Sequence, residues 1–276
     1  MKRIGYNSLA FLATLALATG LAAVASATTP TPNDVKFQLN NWLTCPGSPV
    51  TTVNNYPALV SIEHGFLVCD AWAEQHVWRL SDDGGATVAQ FPNNSAFTFG
   101  ATLTLTGSNA NGGECGINIA PWWDGSMSDG RINCRVPDGE IACFGGRMPF
   151  YSFTGAEGIH FAMNTPLTLQ MTYASNGLSS LSPGTMKYDL VWLGVPYSSG
   201  VLNMDEANPA EDPPHGLWGI LNYANVGGFL QARMDPASIS TDPAHLKAEW
   251  TNVVFTGNEV TPATKTSWGQ LKTLYR

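Results

Sequence analysis

Four carboxylates, Asp205, Glu206, Glu211 and Asp212, fall in one short stretch stiffened by Pro209, Pro213 and Pro214. Oxygen ligands in this density suit Ca2+, so the stretch is a candidate calcium site, although its spacing matches no EF-hand loop. A solvated acidic loop is the alternative. Glu140 and Glu249 are the candidate catalytic acids, because glycoside hydrolysis needs one protonated and one ionised carboxyl about the scissile bond. Nothing in their spacing joins them, and solvent-facing acids at strand ends are the competing reading. Trp123, Trp218 and Tyr223 are the candidate ligand-binding residues. A flat exposed ring stacks on the apolar face of a sugar while nearby Asn and Asp bond its hydroxyls. Trp122 and Trp123 are adjacent, so on a strand they point to opposite faces, one toward a core. His64, His76, His160, His215 and His245 are well separated and show no His-Glu-x-x-His spacing, so only folding could assemble a zinc site from them. There is no Gly-x-Ser-x-Gly nucleophile and no phosphate-binding glycine loop.

These residues need a scaffold, and the chain start says where that scaffold works. Lys2 and Arg3, an apolar stretch from Phe11 to Val24, and Ala25-Ser26-Ala27 have the layout of a secretory signal peptide over residues 1–27. The mature protein is therefore expected to be secreted, with periplasm or cell surface as further destinations. No later apolar run is long enough to cross a bilayer, so no transmembrane anchor is expected. The chain has 13 basic and 21 acidic side chains, a net charge of −8, and cleavage would remove two of the basic ones. This balance cannot neutralise phosphates, so nucleic acid is excluded as a partner.

Cys45, Cys69, Cys115, Cys134 and Cys143 are an odd number for an oxidising compartment. Cys45 and Cys69 precede the rest and are expected to pair. Cys115 and Cys134 are symmetric about Asp124-Gly125, while Cys134 and Cys143 are symmetric about Asp138-Gly139. Cys115–Cys134 is the favoured bond, with Cys143 buried and reduced, and Cys134–Cys143 is the alternative.

The scaffold itself reads as strands. Phe97, Phe99, Ala101, Leu103 and Leu105 alternate with Thr98, Gly100, Thr102 and Thr104, a half-buried strand of period two. Similar segments occur at 117–121, 131–136, 140–144, 148–153, 167–173, 186–192, 216–221, 226–232 and 246–255. Residues 35–91 are irregular. About a dozen strands joined by turns predict an all-β chain, a single antiparallel two-sheet β-sandwich of jelly-roll type. The expected organisation is a lead-in over 28–34, the sandwich over 35–256, a linker over 257–266 and an amphipathic tail over 267–276. That tail, from Ser267-Trp268-Gly269 to Leu274-Tyr275-Arg276, resembles the short Trp-Gly…Leu-Tyr-Arg endings of some exported bacterial proteins. The resemblance implies a bacterial source and a sorting or anchoring role for the tail, and a frayed tail docking back on the sandwich is the alternative.

Two stretches resemble the concanavalin A-like, laminin G-like jelly-roll class. They are the strand pair 131–136 and 139–144 around Pro137-Asp138, and the closing strand Ala248-Glu249-Trp250-Thr251-Asn252-Val253-Val254-Phe255. The resemblance spans 97–255 and implies a sandwich whose loops or concave face bind glycans, sometimes with Ca2+. It carries over no catalytic residues. The Glu-x-Asp-x-x-Glu strand of glucanases with this fold has no match, since the nearest strand reads Asp138-Gly139-Glu140-Ile141-Ala142-Cys143. The leading expectation is a secreted, non-catalytic binding module for carbohydrate, with a glycan or cell-envelope component as partner. A glycoside hydrolase or lyase with a divergent site, and an extracellular structural or adhesive protein, are the alternatives.

Overall fold

The computed structural model describes residues 29–39, 48–65, 73–107, 113–120, 130–145, 148–204, 218–233 and 245–258. Segments 1–27 and 267–276, Cys45, Cys69, Trp123 and the acidic residues Asp205, Glu206, Glu211 and Asp212 lie outside them. No helix among the described residues is long and apolar enough to cross a membrane.

The described residues form fourteen strands and one short helix, in order: β1 (Asp34–Gln38), β2 (Val50–Asn55), β3 (Leu59–Gly65), β4 (Ala73–Ser81), β5 (Ala96–Gly107), β6 (Gly113–Ala120), β7 (Gly130–Arg135), β8 (Ile141–Gly145), β9 (Tyr151–Ser152), α1 (Phe153–Glu157), β10 (Leu167–Ala174), β11 (Thr185–Trp192), β12 (Val195–Asn203), β13 (Asn225–Arg233) and β14 (His245–Asn258). They form two seven-stranded sheets, with order β1-β4-β13-β6-β7-β8-β9 in the first and β12-β11-β10-β5-β14-β3-β2 in the second. All pairings are antiparallel, and the chain changes sheet between β1 and β2, β3 and β4, β4 and β5, β5 and β6, β9 and β10, β12 and β13, and β13 and β14. The fold is an antiparallel two-sheet β-sandwich.

Each sheet buries one alternating set of side chains against the other. From the first sheet come Trp78, Leu80, Ile117, Ile119, Ile132 and Val226; from the second come Phe97, Phe99, Leu103, Leu169, Tyr173 and Trp250. β5 has the predicted alternation, with Phe97, Phe99, Ala101, Leu103 and Leu105 buried.

Several local expectations change. β14 extends through Gly257 and Asn258, which were assigned to a linker. The segment 216–221 is not a strand in its described part, where Trp218 to Ile220 form a bend before β13. The stretch 148–153 shortens to the two-residue β9 because Ser152 caps α1, its hydroxyl accepting from the Gly155 N–H at 2.9 Å, and Gly158 ends the helix at φ 67°. The irregular 35–91 segment contains four strands, β1 to β4.

The turn after β4 is held by one carboxylate. Asp83 accepts from the Thr87 N–H (2.8 Å), the Thr87 hydroxyl (2.6 Å) and the Ser81 hydroxyl (2.7 Å). These bonds favour the ionised form and lower its pKa to about 2. The stability that Asp83 contributes is therefore complete above its ordinary pKa near 3.8 and is lost as pH falls through about 2. A carboxyl-carbon NMR titration should give a midpoint more than one unit below the same titration in the Thr87→Ala variant.

Candidate functional site

The first sheet is unusual because its central strands are buried on both faces. In β4, Glu74, His76, Trp78 and Leu80 face the second sheet, while Gln75, Val77, Arg79 and Ser81 face outward; all eight are buried. Register places the outward residues of neighbouring strands in ranks. Lys36, Arg79, Gly227, Asn118, Arg131 and Phe144 lie side by side across β1, β4, β13, β6, β7 and β8. A second rank holds Gln75, Gln231, Glu114 and Arg135, with Asn133 and Phe229 between the two.

Two guanidiniums dominate this outer face. Arg79 donates to Asn118 Oδ1 at 2.6 Å, and Arg131 donates to Gln231 Oε1 at 3.4 Å. The Arg131 guanidinium lies 4.7 Å from the Phe229 ring centroid and 5.8 Å from that of Phe144, a cation–π arrangement on both sides. Its nearest carboxylate, Glu114, is 3.9 Å away. Burial, and then repulsion from Arg131, bring the Arg79 pKa down to about 9, so it still carries its charge at neutral pH. Burial lowers Arg131 too, against the attraction of Glu114. The Gln75 amide and Asn133 Oδ1 are buried with no hydrogen-bond partner among the described residues. The face opens toward β7 and β8, where Arg131, Glu114 and Phe144 are partly exposed. Arg131, Glu114 and Phe144 at this open side, with Arg79 and the amides buried behind them, make an edge that can meet a carboxylate-bearing, hydroxyl-rich ligand.

A second polar cluster lies inside the sandwich. His64 from β3 and Glu74 and His76 from β4 bridge the two sheets, fully buried. His64 Nε2 is 2.5 Å from Glu74 Oε2, His76 Nε2 is 3.9 Å from the same oxygen, and the two rings are 5.0 Å apart. Burial lowers the His64 pKa against the pull of Glu74. Burial and the neighbouring His64 take His76 to about 3, so both imidazoles stand neutral.

The residues singled out from sequence are scattered. Glu140 sits just before β8 on the outer side of the first sheet, 3.8 Å from Arg135. Glu249 is on the outward side of β14 in the second sheet, ion-paired to Lys247 at 2.7 Å. The whole sandwich lies between them, so they cannot flank one bond. Trp218 is half-buried in the bend before β13, and Tyr223 is exposed in the turn that follows, at φ 64°. Neither belongs to the arginine face.

Cys115 and Cys134 are direct cross-strand partners in the expected register, but they stand as buried free thiols and no disulfide joins them. Cys143 is also free and buried, and it opposes Ile132 rather than Cys134. The reason is the turn. Asp138 accepts from the Glu140 N–H and bonds Arg135, while the Arg135 N–H bonds the Glu140 carbonyl at 2.9 Å. The hairpin therefore centres between Pro137 and Asp138 and shifts the pairing by two residues. Burial pushes all three thiols up, so none is a ready nucleophile. Peptide mapping after iodoacetamide treatment at pH 8 should find Cys115, Cys134 and Cys143 unlabelled in the native protein and labelled in denaturant.

No model of a protein family matches this chain, and no curated protein does. Several solved structures are similar at low identity. A family-7 alginate lyase, A1-II′, is 9% identical with a TM-score of 0.46, covering 82% of this chain and 95% of its own. The lectin UEA-II in complex with galactose is 10% identical with a TM-score of 0.43, over 83% and 96%. An alginate lyase from Klebsiella pneumoniae is 9% identical with a TM-score of 0.41, over 75% and 84%.

Proposed function

We propose that this protein is an exported carbohydrate-binding module whose ligand is an acidic saccharide held on the outer face of the first sheet. The observation that carries this reading is the pair Arg79 and Arg131, fixed on β4 and β7 among Asn118, Asn133, Gln75 and Gln231. Guanidiniums bind carboxylates in a forked, charge-assisted geometry, and amides bond hydroxyls. Phe144, at the open side, offers a ring on which a pyranose can stack. Export is supported by the signal-peptide layout of residues 1–27.

The test is a glycan-array screen of the mature chain with uronic-acid and neutral oligosaccharides, with and without EDTA and at low and high salt. The expected result is selective binding of uronates that weakens with salt and ignores EDTA. Binding lost in EDTA would instead favour a calcium site at Asp205, Glu206, Glu211 and Asp212. Equal binding of neutral glycans would remove the role given to the arginines.

A further inference from the structure

We infer that His64, Glu74 and His76 form an interior binding site for one divalent transition-metal ion of the zinc type, tying the two sheets together. One carboxylate and two imidazoles are a recurrent ligand set for such ions. The ligand atoms of the three side chains all lie within 4.8 Å of one another, and each residue is buried. The strands fix them. β3 belongs to the second sheet and β4 to the first, and the three side chains meet because all point inward. Glu74 and His76 are two apart on one strand, which puts them on the same face.

The charge and bonding around Glu74 supply a separate argument. Among the described residues its Oε1 has no hydrogen-bond partner, although Glu74 is buried. A buried acid with one oxygen unanswered is costly unless a cation or donor answers it. Metal binding would displace the proton shared between Glu74 Oε2 and His64 Nε2. Tetrahedral bonds of about 2.05 Å place ligand atoms roughly 3.4 Å apart. The 2.5 Å contact would open and the 3.9 Å contact would close, both by less than an ångström. The site is enclosed, so its role is structural, and it is independent of the saccharide face on the other side of β4.

The experiment is a titration of the chelator-treated mature chain with Co2+, followed by Zn2+. One Co2+ per chain is expected, with visible bands of a low-coordinate nitrogen and oxygen site, no thiolate charge-transfer band, and displacement by Zn2+. Glu74→Gln and His76→Gln should each weaken uptake at least about tenfold. No stoichiometric uptake by the wild-type chain would overturn the inference, and that measurement does not depend on how the variants fold. A thiolate band, or unchanged uptake in a folded His76→Gln variant, would equally overturn it.

Discussion

Trp250→Ala should lower the free energy of unfolding by about 3–5 kcal/mol, as expected when a large buried aromatic is truncated. Trp250 lies on β14 near the middle of the second sheet, and its ring meets Trp78 of the first sheet edge-on at a centroid distance of 5.7 Å. Its indole N–H donates to the Gly116 carbonyl on β6 at 3.0 Å, so one side chain both packs and bonds across the sandwich. The space it fills is shaped by a glycine. A Cβ on Gly228 would sit 2.9 Å from the Trp250 ring and 2.5 Å from Trp78 Nε1. Surrounding strands therefore have little freedom to collapse into the void. Trp250→Phe should cost less, about 1–2 kcal/mol, because most of the ring remains and the hydrogen bond is lost. Urea denaturation followed by circular dichroism measures both. A loss below about 1 kcal/mol for the alanine variant would show that the Trp250–Trp78 contact is not central to the core.

Arg131→Gln should weaken binding of a uronic-acid oligosaccharide by at least about tenfold, the scale of a charge-assisted bond to a carboxylate. The substitution removes the charge but keeps an amide between Phe229 and Phe144. The cation–π contacts it gives up are worth about 0.5–1 kcal/mol at a partly exposed site, so the fold should survive. Binding of a neutral oligosaccharide, if any, should change little. Lys187→Gln is the matched control: it removes a cation paired to Asp189 at 2.8 Å on β11 of the second sheet and should leave uronate binding unchanged. Calorimetric titration at fixed salt reads all of these.

The strands that can be read from sequence are those with one wet face. β10 alternates Leu167, Leu169, Met171 and Tyr173 buried with Thr168, Gln170 and Thr172 less so, and the period shows. β4 is buried on both faces, and its Glu74-Gln75-His76-Val77-Trp78-Arg79 run carries no alternation of hydrophobicity. It looks like a polar loop until its neighbours are known. Both polar clusters include residues of this strand, which is why neither was legible as a site. His64 and His76 were visible as histidines, but their meeting depends on the change of sheet between β3 and β4. Asn118, Asn133 and Gln231 carry no motif. They gain meaning only from a register that aligns them with Arg79 and Arg131. The Cys115–Cys134 register was readable from symmetry, although no disulfide forms there, whereas the Cys134–Cys143 relation failed because the Asp138 side chain moves the centre of its turn.

The measurement that tests the central claim most directly is a side-chain NMR titration. Arginine Nε–Hε and backbone amide resonances of the mature chain would be followed as a uronic-acid oligosaccharide is added. The account predicts saturable shifts of Arg79 and Arg131, with Lys187, Lys247 and the Tyr223 turn unmoved. Saturable binding with shifts confined to the second sheet or to the Tyr223 turn would contradict it, and so would no binding at all.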